Sequence, residues 1–115
     1  MATRDYSSKQ EKIVSDYVGG HTTPNSGATG FKKGDILTDD TIIECKTKTK
    51  DCAAHSIKKE WIDTLKKESI SMGYLYWALV FDFGTQELKD QYAVIPLADF
   101  QEYLELKRKY GTESI

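Results

Sequence analysis

Residues 34–46 read GDILTDDTIIECK, and this stretch decides the fold of the chain. Two short apolar runs, 36–37 and 42–43, stand on either side of an Asp-rich polar segment, 38–41. Apolar β-branched runs around a short polar turn are typical of a β-hairpin. A two-residue turn over 39–40 and a four-residue loop over 38–41 give the same pairing between the two strands, and we expect this register. A three-residue loop is the alternative, and it would turn the charged side chains to the other face.

The predicted register places three charged side chains on one face of the hairpin. Ile36 lies opposite Ile43, so Asp35 lies opposite Glu44, with Cβ atoms about 4.5–5.5 Å apart. Lys46 follows Glu44 by two residues and projects from the same side of the strand. Facing carboxylates destabilise a sheet unless a cation lies between them, and their oxygens suit Mg²⁺ or Mn²⁺ better than zinc. The alternative is a surface hairpin on which Lys46 screens the charge of Glu44.

The rest of the chain predicts the elements around the hairpin. Apolar side chains recur at helical spacing over 8–18, 56–72 and 97–110, and a glycine follows each segment. The apolar run 74–83 predicts a strand buried on both faces in the middle of the sheet, and 92–95 predicts a shorter strand. We expect the last helix to point three side chains inward: Phe100, Tyr103 and Leu104. This order predicts an α/β fold in which helices pack on one mixed sheet.

Length and composition exclude several classes of protein. The 115 residues fit one domain, so we expect a single domain over 1–115. Hydrophobic residues make up 39% of the chain and charged residues 30%, which is typical of a globular protein. No segment approaches the roughly 20 consecutive apolar residues of a membrane helix. The N-terminus carries no apolar signal segment, so we expect neither membrane insertion nor secretion.

The net charge of −2 conceals an uneven distribution of charge. Residues 31–67 carry nine Lys and seven acidic residues, whereas residues 82–115 carry four basic and seven acidic residues. The segment 46–59 has five Lys against one Asp and directly follows the paired carboxylates. Such a segment suits contacts with a phosphate backbone, although an ordinary solvated surface is the alternative. The candidate DNA-binding residues are Lys32, Lys33, Lys48, Lys50, Lys58 and Lys59.

Two further polar residues have open alternatives. Glu11 follows Ser8 by three residues, which is the spacing of a capping box at a helix start. Glu11 also lies at the edge of the apolar stripe of that helix, from which it could point toward the metal. Ser26 belongs to the glycine-rich segment 19–34, where it is either a turn residue or a candidate catalytic residue that donates a hydrogen bond to a phosphate or to a metal-bound water.

The hairpin residues and the order of the elements around them resemble a known family. Asp35, followed by Glu44-Cys45-Lys46 on an adjoining apolar strand, resembles the motif of the PD-(D/E)xK nucleases. The segment 25–28, NSGA, is similar to the Gly-Ser-Gly-like loop of small archaeal-type and viral Holliday junction resolvases. The order of elements also resembles that superfamily over about residues 8–95. The resemblance implies a restriction-endonuclease-like α/β core, followed here by a C-terminal helix over about 97–110.

The resemblance implies a role for each candidate residue. Asp35 and Glu44 ligate Mg²⁺ (or Mn²⁺), helped by the main-chain carbonyl of Cys45. Lys46 positions the attacking water and stabilises the transition state. Glu11 binds a water of that metal or a second metal. The implied reaction is in-line hydrolysis of a phosphodiester bond that leaves a 5′-phosphate.

The resemblance also implies a substrate and an assembly. The expected substrate is branched DNA such as a Holliday junction, cut by a homodimer, because a double cut needs two sites and one chain supplies one. The alternatives are a duplex-cleaving or DNA-degrading nuclease of the same superfamily and a DNA-binding module that does not cut. We expect a cytoplasmic, intracellular protein encoded by a microbe or a virus.

Overall fold

A computed structural model describes residues 3–23 and 36–111, with side chains from Ser8 onward. These residues form one mixed sheet of five strands and three α-helices. In chain order the elements are α1 (Thr3–Val18), β1 (His21–Thr22), β2 (Ile36–Leu37), β3 (Thr41–Lys46), α2 (Lys59–Met72), β4 (Tyr76–Phe81), a 3-10 turn (Leu88–Asp90), β5 (Tyr92–Val94) and α3 (Leu97–Tyr110). The α/β fold class is therefore confirmed.

The hairpin of β2 and β3 has the predicted register. The strands are antiparallel, with Ile36 opposite Ile43 and Leu37 opposite Ile42. The Thr38 backbone N–H donates to the carbonyl of Thr41 at 2.9 Å and closes the turn. Local pairing and turn chemistry are thus sufficient to specify this part of the fold.

The strands follow the order β1-β2-β3-β4-β5 across the sheet. Strands β3 and β4 are parallel and α2 connects them, whereas the other neighbouring strands are antiparallel. β4 lies between β3 and β5, so the prediction of an interior strand within 74–83 is confirmed. The predicted burial on both faces is only partly correct, because Leu79 and Val80 are its only buried residues and β3 is the middle strand. The parallel pairing aligns the carboxyl end of β3 with that of β4, because Lys46 lies opposite Phe81.

Both faces of the sheet are covered by a helix. On one face, Val14 of α1 packs against Ile36, Ile43 and Val80. On the other face, Leu65 of α2 packs in a second cluster, whose buried members are Leu37, Ile42, Leu65 and Leu79. Burying each of these side chains stabilises the fold by roughly 1.5–3 kcal/mol. Alternate residues of a strand share a face, so Glu44 and Lys46 lie on the same side of β3 as Ile42. Ile42 packs in the cluster of Leu65, so α2 covers this side of the hairpin.

Two helix starts differ from their predicted positions. Helix α1 begins at Thr3 rather than at Ser8, because residues 3–7 contain no Gly or Pro that would stop it. Ser8 therefore lies inside α1, and the prediction that it forms a capping box with Glu11 is wrong. Helix α2 begins at Lys59 rather than near Ser56, because His55 and Ile57 are held in tertiary contacts ahead of the helix.

The orientation predicted for the last helix is also wrong. Helix α3 spans the predicted residues, but none of them is buried. Phe100 is 44% exposed and Tyr103 is 51% exposed, while Leu104 is half-buried. The periodicity of the sequence correctly predicts that α3 has an apolar face. It does not show how much of that face the rest of the chain covers, and in the structure no residue of α3 is buried. None of the helices in the described ranges is long and apolar enough to cross a membrane.

Candidate active site

The carboxyl end of β3 brings Glu44 and Lys46 together. Glu44 is buried, with 7% of its surface exposed, because α2 covers this face of the sheet. The Lys46 Nζ lies 3.7 Å from Oε1 of Glu44, and 29% of the Lys46 side chain stays exposed. A nearly buried carboxylate therefore has a partly exposed ammonium beside it, as the predicted shared face requires.

Trp61 holds the Lys46 ammonium from the other side. The Nζ of Lys46 lies 4.5 Å from the centroid of the Trp61 ring. Lys58 approaches the same ring, with its Nζ 5.6 Å from the centroid. An ammonium over an indole face is attracted by the ring quadrupole. Trp61 lies in the first turn of α2, so its ring both packs against the apolar cluster on this face of the sheet and contacts the Lys46 ammonium.

The main chain of Lys46 is held by Gln10 of α1. Gln10 is fully buried, and its Nε2 donates to the Lys46 carbonyl at 2.9 Å. The same amide donates to Oε1 of Gln91 at 3.0 Å. The polar character of Gln10 does not mark it as a core residue in the sequence. Its position does, because Gln10 precedes Val14 by four residues and so lies on the same side of α1.

Asp82 organises the polar groups where β3 and β4 end. Its carboxylate is fully buried and accepts hydrogen bonds from the Gly84 backbone N–H at 2.9 Å and from Nε2 of Gln91 at 2.7 Å. The hydroxyl of Thr47, the residue after Lys46, donates to the same carboxylate. A buried carboxylate with three donors is well compensated. The network therefore fixes the backbone that carries Lys46 to the loop that follows β4.

Glu11 belongs to α1, which packs on the face of the sheet opposite to that of Glu44 and Lys46. It lines a groove between α1 and β1, beside Ser15, His21 and Thr23. Partial burial raises the pKa of Glu11 above its ordinary value. Helix α1 covers the face of the sheet opposite to α2, so the described residues do not bring Glu11 into the layer of Glu44. Its participation in the site stays a prediction.

The other predicted residues have mixed outcomes. Four of them lie outside the described residues: Ser26, Lys32, Lys33 and Asp35. Cys45 is half-buried and packs on the α1 side of the sheet. Within the described ranges no three His, Cys, Asp or Glu side chains come together as a ready metal site. Of the predicted metal ligands, the described residues therefore include Glu11, Glu44 and Cys45 and do not include Asp35.

The remaining lysines lie on or next to the segment 47–58, which connects β3 to α2. Lys50, Lys58 and Lys59 are exposed, and Lys48 is half-buried. Lys59 pairs with Asp63, with its Nζ 2.9 Å from Oδ2. These side chains therefore leave positive charge close to the end of β3, as the sequence predicts.

The segment 47–58 is attached to the turn that follows β4. Nδ1 of His55 is 2.6 Å from the carbonyl oxygen of Asp82, and the Cys52 backbone N–H donates to the carbonyl of Phe83 at 2.8 Å. The His55 ring also contacts Trp61 and Phe81 edge to face. Tertiary contacts thus place the lysines beside the site.

The arrangement at the end of β3 can bind a cation and stabilise an anion. The carboxylate of Glu44 can supply ligand oxygens, and the ammonium of Lys46 supplies a positive charge on a side chain that is 29% exposed. The basic residues nearby would attract a polyanion toward both groups. No family model, curated protein or solved structure matches this chain.

Proposed function

We propose that this protein is a Mg²⁺-dependent DNA endonuclease with a restriction-endonuclease-like core. The observation that carries the proposal is the pair at the end of β3: a buried Glu44 carboxylate with the Lys46 ammonium 3.7 Å away. Burying a carboxylate is costly unless a cation compensates it. A protein that cuts phosphodiesters gains from both groups, because one holds a metal and the other faces developing negative charge.

The metal is assigned to oxygen ligands. Glu44 supplies one carboxylate, and Asp35, which would be opposite Glu44 if the register of β2 and β3 continued by one pair, is proposed as the second. The main-chain carbonyl of Cys45 completes the proposed protein ligands. When bound, Mg²⁺ supplies charge neutralisation at the phosphate and lowers the pKa of water.

Lys46 is proposed to act on the water and the scissile phosphate. Its ammonium has three donors, and the contacts with Glu44 and the Trp61 ring hold the flexible side chain in one region. An ammonium held in advance needs little reorganisation when negative charge develops on the phosphate. Gln10 supports this geometry by binding the Lys46 carbonyl.

The basic segment is proposed to position the DNA backbone. Lys58 shares the Trp61 ring with Lys46, so its charge lies next to the proposed catalytic group. Lys48 and Lys50 follow the motif strand directly. Lys59 already pairs with Asp63 and is expected to contribute less. Such contacts orient a duplex without reading its sequence.

Branched DNA is the proposed substrate, cut by two copies of the chain. The support is the resemblance of the segment 25–28 and of the hairpin motif to small Holliday junction resolvases. A symmetric double cut requires two active sites, and each chain carries one Glu44-Lys46 pair. Cleavage of linear duplex or degradation of DNA is the alternative within the same superfamily.

The test is a cleavage assay with four-way-junction, flapped and linear DNA in Mg²⁺. Lys46→Ala should lower the cleavage rate by at least about a hundredfold, because the charge that stabilises the transition state is lost. Lys89→Ala is the matched control, since Lys89 is an exposed lysine of the 3-10 turn. Absence of cleavage of every substrate by the unaltered protein would remove the nuclease proposal. Equal rates on linear and junction DNA would remove the preference for branched DNA.

A DNA-binding module that does not cut is the second candidate. It is favoured by one observation: Lys46 is already paired with Glu44 and with the Trp61 ring, so the pair could be purely structural. The same assay separates the candidates when binding is measured in parallel. A module that only binds would retain junction DNA in a mobility-shift gel and release no product in Mg²⁺.

A further inference from the structure

Helix α3 exposes most of its large apolar side chains. No residue of α3 is buried. The exposed large apolar residues of this helix are Leu97, Phe100, Tyr103, Leu106 and Tyr110. A helix of this length is marginal in water without packing of its apolar face. The described part of the chain therefore leaves α3 with an apolar surface that a partner would stabilise.

Four of these residues form a continuous stripe. Phe100, Tyr103, Leu106 and Tyr110 follow one another at intervals of three or four residues and so lie on one side of the helix. Tyr103 and Leu106 also border a groove against the start of β4. The stripe thus runs along the length of α3 and continues toward the sheet.

Charges are segregated along the length of α3. The first part of α3 carries the acidic residues, and the last turn carries the basic ones: Asp99, Glu102 and Glu105, then Lys107, Arg108 and Lys109. The acidic side chains of Asp99 and Glu102 line the groove beside Tyr103. The basic side chains lie on the rings, with the Nζ of Lys107 5.6 Å from the Tyr103 centroid and that of Lys109 5.2 Å from the Tyr110 centroid.

This distribution selects one occupant. The acidic half would repel a nucleic acid, and a lipid surface favours a polar face that is basic throughout. A parallel copy of α3 would place like charges side by side. An antiparallel copy places each acidic half beside a basic half, and it also opposes the two helix dipoles. We propose that α3 is the interface of a homodimer in which the α3 helices of two copies pack antiparallel.

The stripe is tested by sedimentation velocity over protein concentrations from about 1 to about 100 µM, a range that spans moderate dimer affinities. The unaltered chain should shift from monomer to dimer. Tyr103→Glu places a charge in the stripe and should raise the Kd at least about tenfold. Ile70→Glu is the matched control, because Ile70 is an 80% exposed apolar residue of α2, and it should leave the Kd unchanged.

The antiparallel arrangement is tested by charge reversal. One variant carries Asp99→Lys and Glu102→Lys, and the other carries Arg108→Glu and Lys109→Glu. Each variant alone should dimerise less well than the unaltered chain at low salt. An equimolar mixture should form a heterodimer, because one variant has a basic α3 and the other an acidic α3; this result tests the charge pairing and not the direction. The direction is tested by a fourfold variant that carries all four changes. It should dimerise with itself and not with the unaltered chain, whereas parallel helices would favour the mixed dimer. Circular dichroism of each variant checks that α3 is retained.

Three outcomes would overturn the proposal. The first is a monomer at every concentration, and the second is equal weakening by Tyr103→Glu and Ile70→Glu. The third is a failure of the charge pairing: the two double variants stay monomeric when mixed, or the fourfold variant pairs with the unaltered chain rather than with itself. None of these outcomes depends on DNA or metal, so the dimer can fail while the nuclease proposal stands, and the reverse also holds.

Discussion

Lys46 is the residue whose surroundings carry most of the proposed chemistry. Its ammonium lies between a buried carboxylate and an indole ring, and its carbonyl accepts a hydrogen bond from a buried amide. A lysine side chain has four rotatable bonds, and fixing it in one conformation costs up to about 2 kcal/mol of conformational entropy. The surrounding contacts meet this cost before any substrate binds.

Trp61 should therefore affect catalysis through Lys46. Trp61→Leu is expected to lower the turnover number about three- to thirtyfold with little change in KM, because a cation–π contact contributes about 0.5–2 kcal/mol. Trp61→Phe keeps an aromatic face and should retain most of the rate. The NMR signal of the Lys46 side chain, assigned with Lys46→Arg, should lose its ring-current shift in Trp61→Leu.

Trp77→Leu is the control for this prediction. Trp77 packs against the same apolar cluster, and Trp77→Leu removes a similar apolar area. Its effect on turnover should be smaller than that of Trp61→Leu at matched stability. If both variants lower turnover equally, Trp61 acts on stability alone and does not position Lys46.

Glu11 should make folding stability depend on pH. Partial burial raises its pKa above the ordinary value of 4.5, so the folded state binds the proton more tightly than the unfolded chain does. Stability is then lost as the pH rises from 4.5 through the raised pKa. In the presence of a chelator, Glu11→Gln should raise the melting temperature near about pH 7 and change it little near about pH 3.

The contrary result for Glu11 is equally informative. A lower melting temperature of Glu11→Gln at neutral pH would mean that the ionised carboxylate is stabilised in the fold, against the effect of its burial. Melting curves with added Mg²⁺ then show whether the ion reverses the sign of the change in melting temperature caused by Glu11→Gln. A role of Glu11 near the metal requires such a reversal.

At the scale of elements, the turn after β4 determines where the basic segment lies. Gly84 has φ of +105°, and a Cβ at this position would lie 2.2 Å from the carbonyl oxygen of Lys50. The Cys52 backbone N–H donates to Phe83 next to this contact. Only glycine combines this dihedral with so close an approach of two main chains.

Gly84→Ala should therefore destabilise the fold by more than about 3 kcal/mol, because both the left-handed backbone and the clash with Lys50 oppose a side chain. Gly73 provides the control: it ends α2 with φ of +79°, and nothing lies within 4 Å of an added Cβ. Gly73→Ala should cost only about 1–2 kcal/mol. Urea unfolding measures both values, and similar losses for the two variants would contradict the close approach at Gly84.

At the scale of the whole molecule, the small net charge hides two charged regions. The segment 46–59, which begins at the last residue of β3, is basic, whereas the chain from residue 82 onward is acidic overall. We expect DNA to approach along the basic segment and to avoid the acidic half of α3. Binding should then depend strongly on salt, because each phosphate contact releases counterions.

The salt dependence offers a test residue by residue. Lys48→Ala, Lys50→Ala and Lys58→Ala should each reduce the slope of log K against log salt concentration by about one, if each lysine contacts one phosphate. Lys89→Ala should leave the slope unchanged, because it lies on the 3-10 turn outside this segment. Unchanged slopes for the first three variants would show that the segment is an ordinary solvated surface.

Much of the fold follows from local sequence. The hairpin register, the interior strand β4 and the span of α3 are predicted by apolar period and turn chemistry, because a one-residue slip would turn the apolar side chains of 36–37 and 42–43 to the wrong face. The pair of Glu44 and Lys46 follows from the same period. The lysines of the basic segment are identified by composition alone.

Contacts between distant residues decided the rest. Gln10 is 36 residues from Lys46 and 81 residues from Gln91, yet it binds both. β3 and β4 pair in parallel and α2 connects them; this arrangement brings Trp61, Asp82 and the basic segment to the carboxyl end of β3. The exposure of α3 is also a property of the assembled chain. Sequence by itself determined which side chains share a face, because that is local geometry; tertiary structure decided which faces are covered, because burial depends on what else packs there.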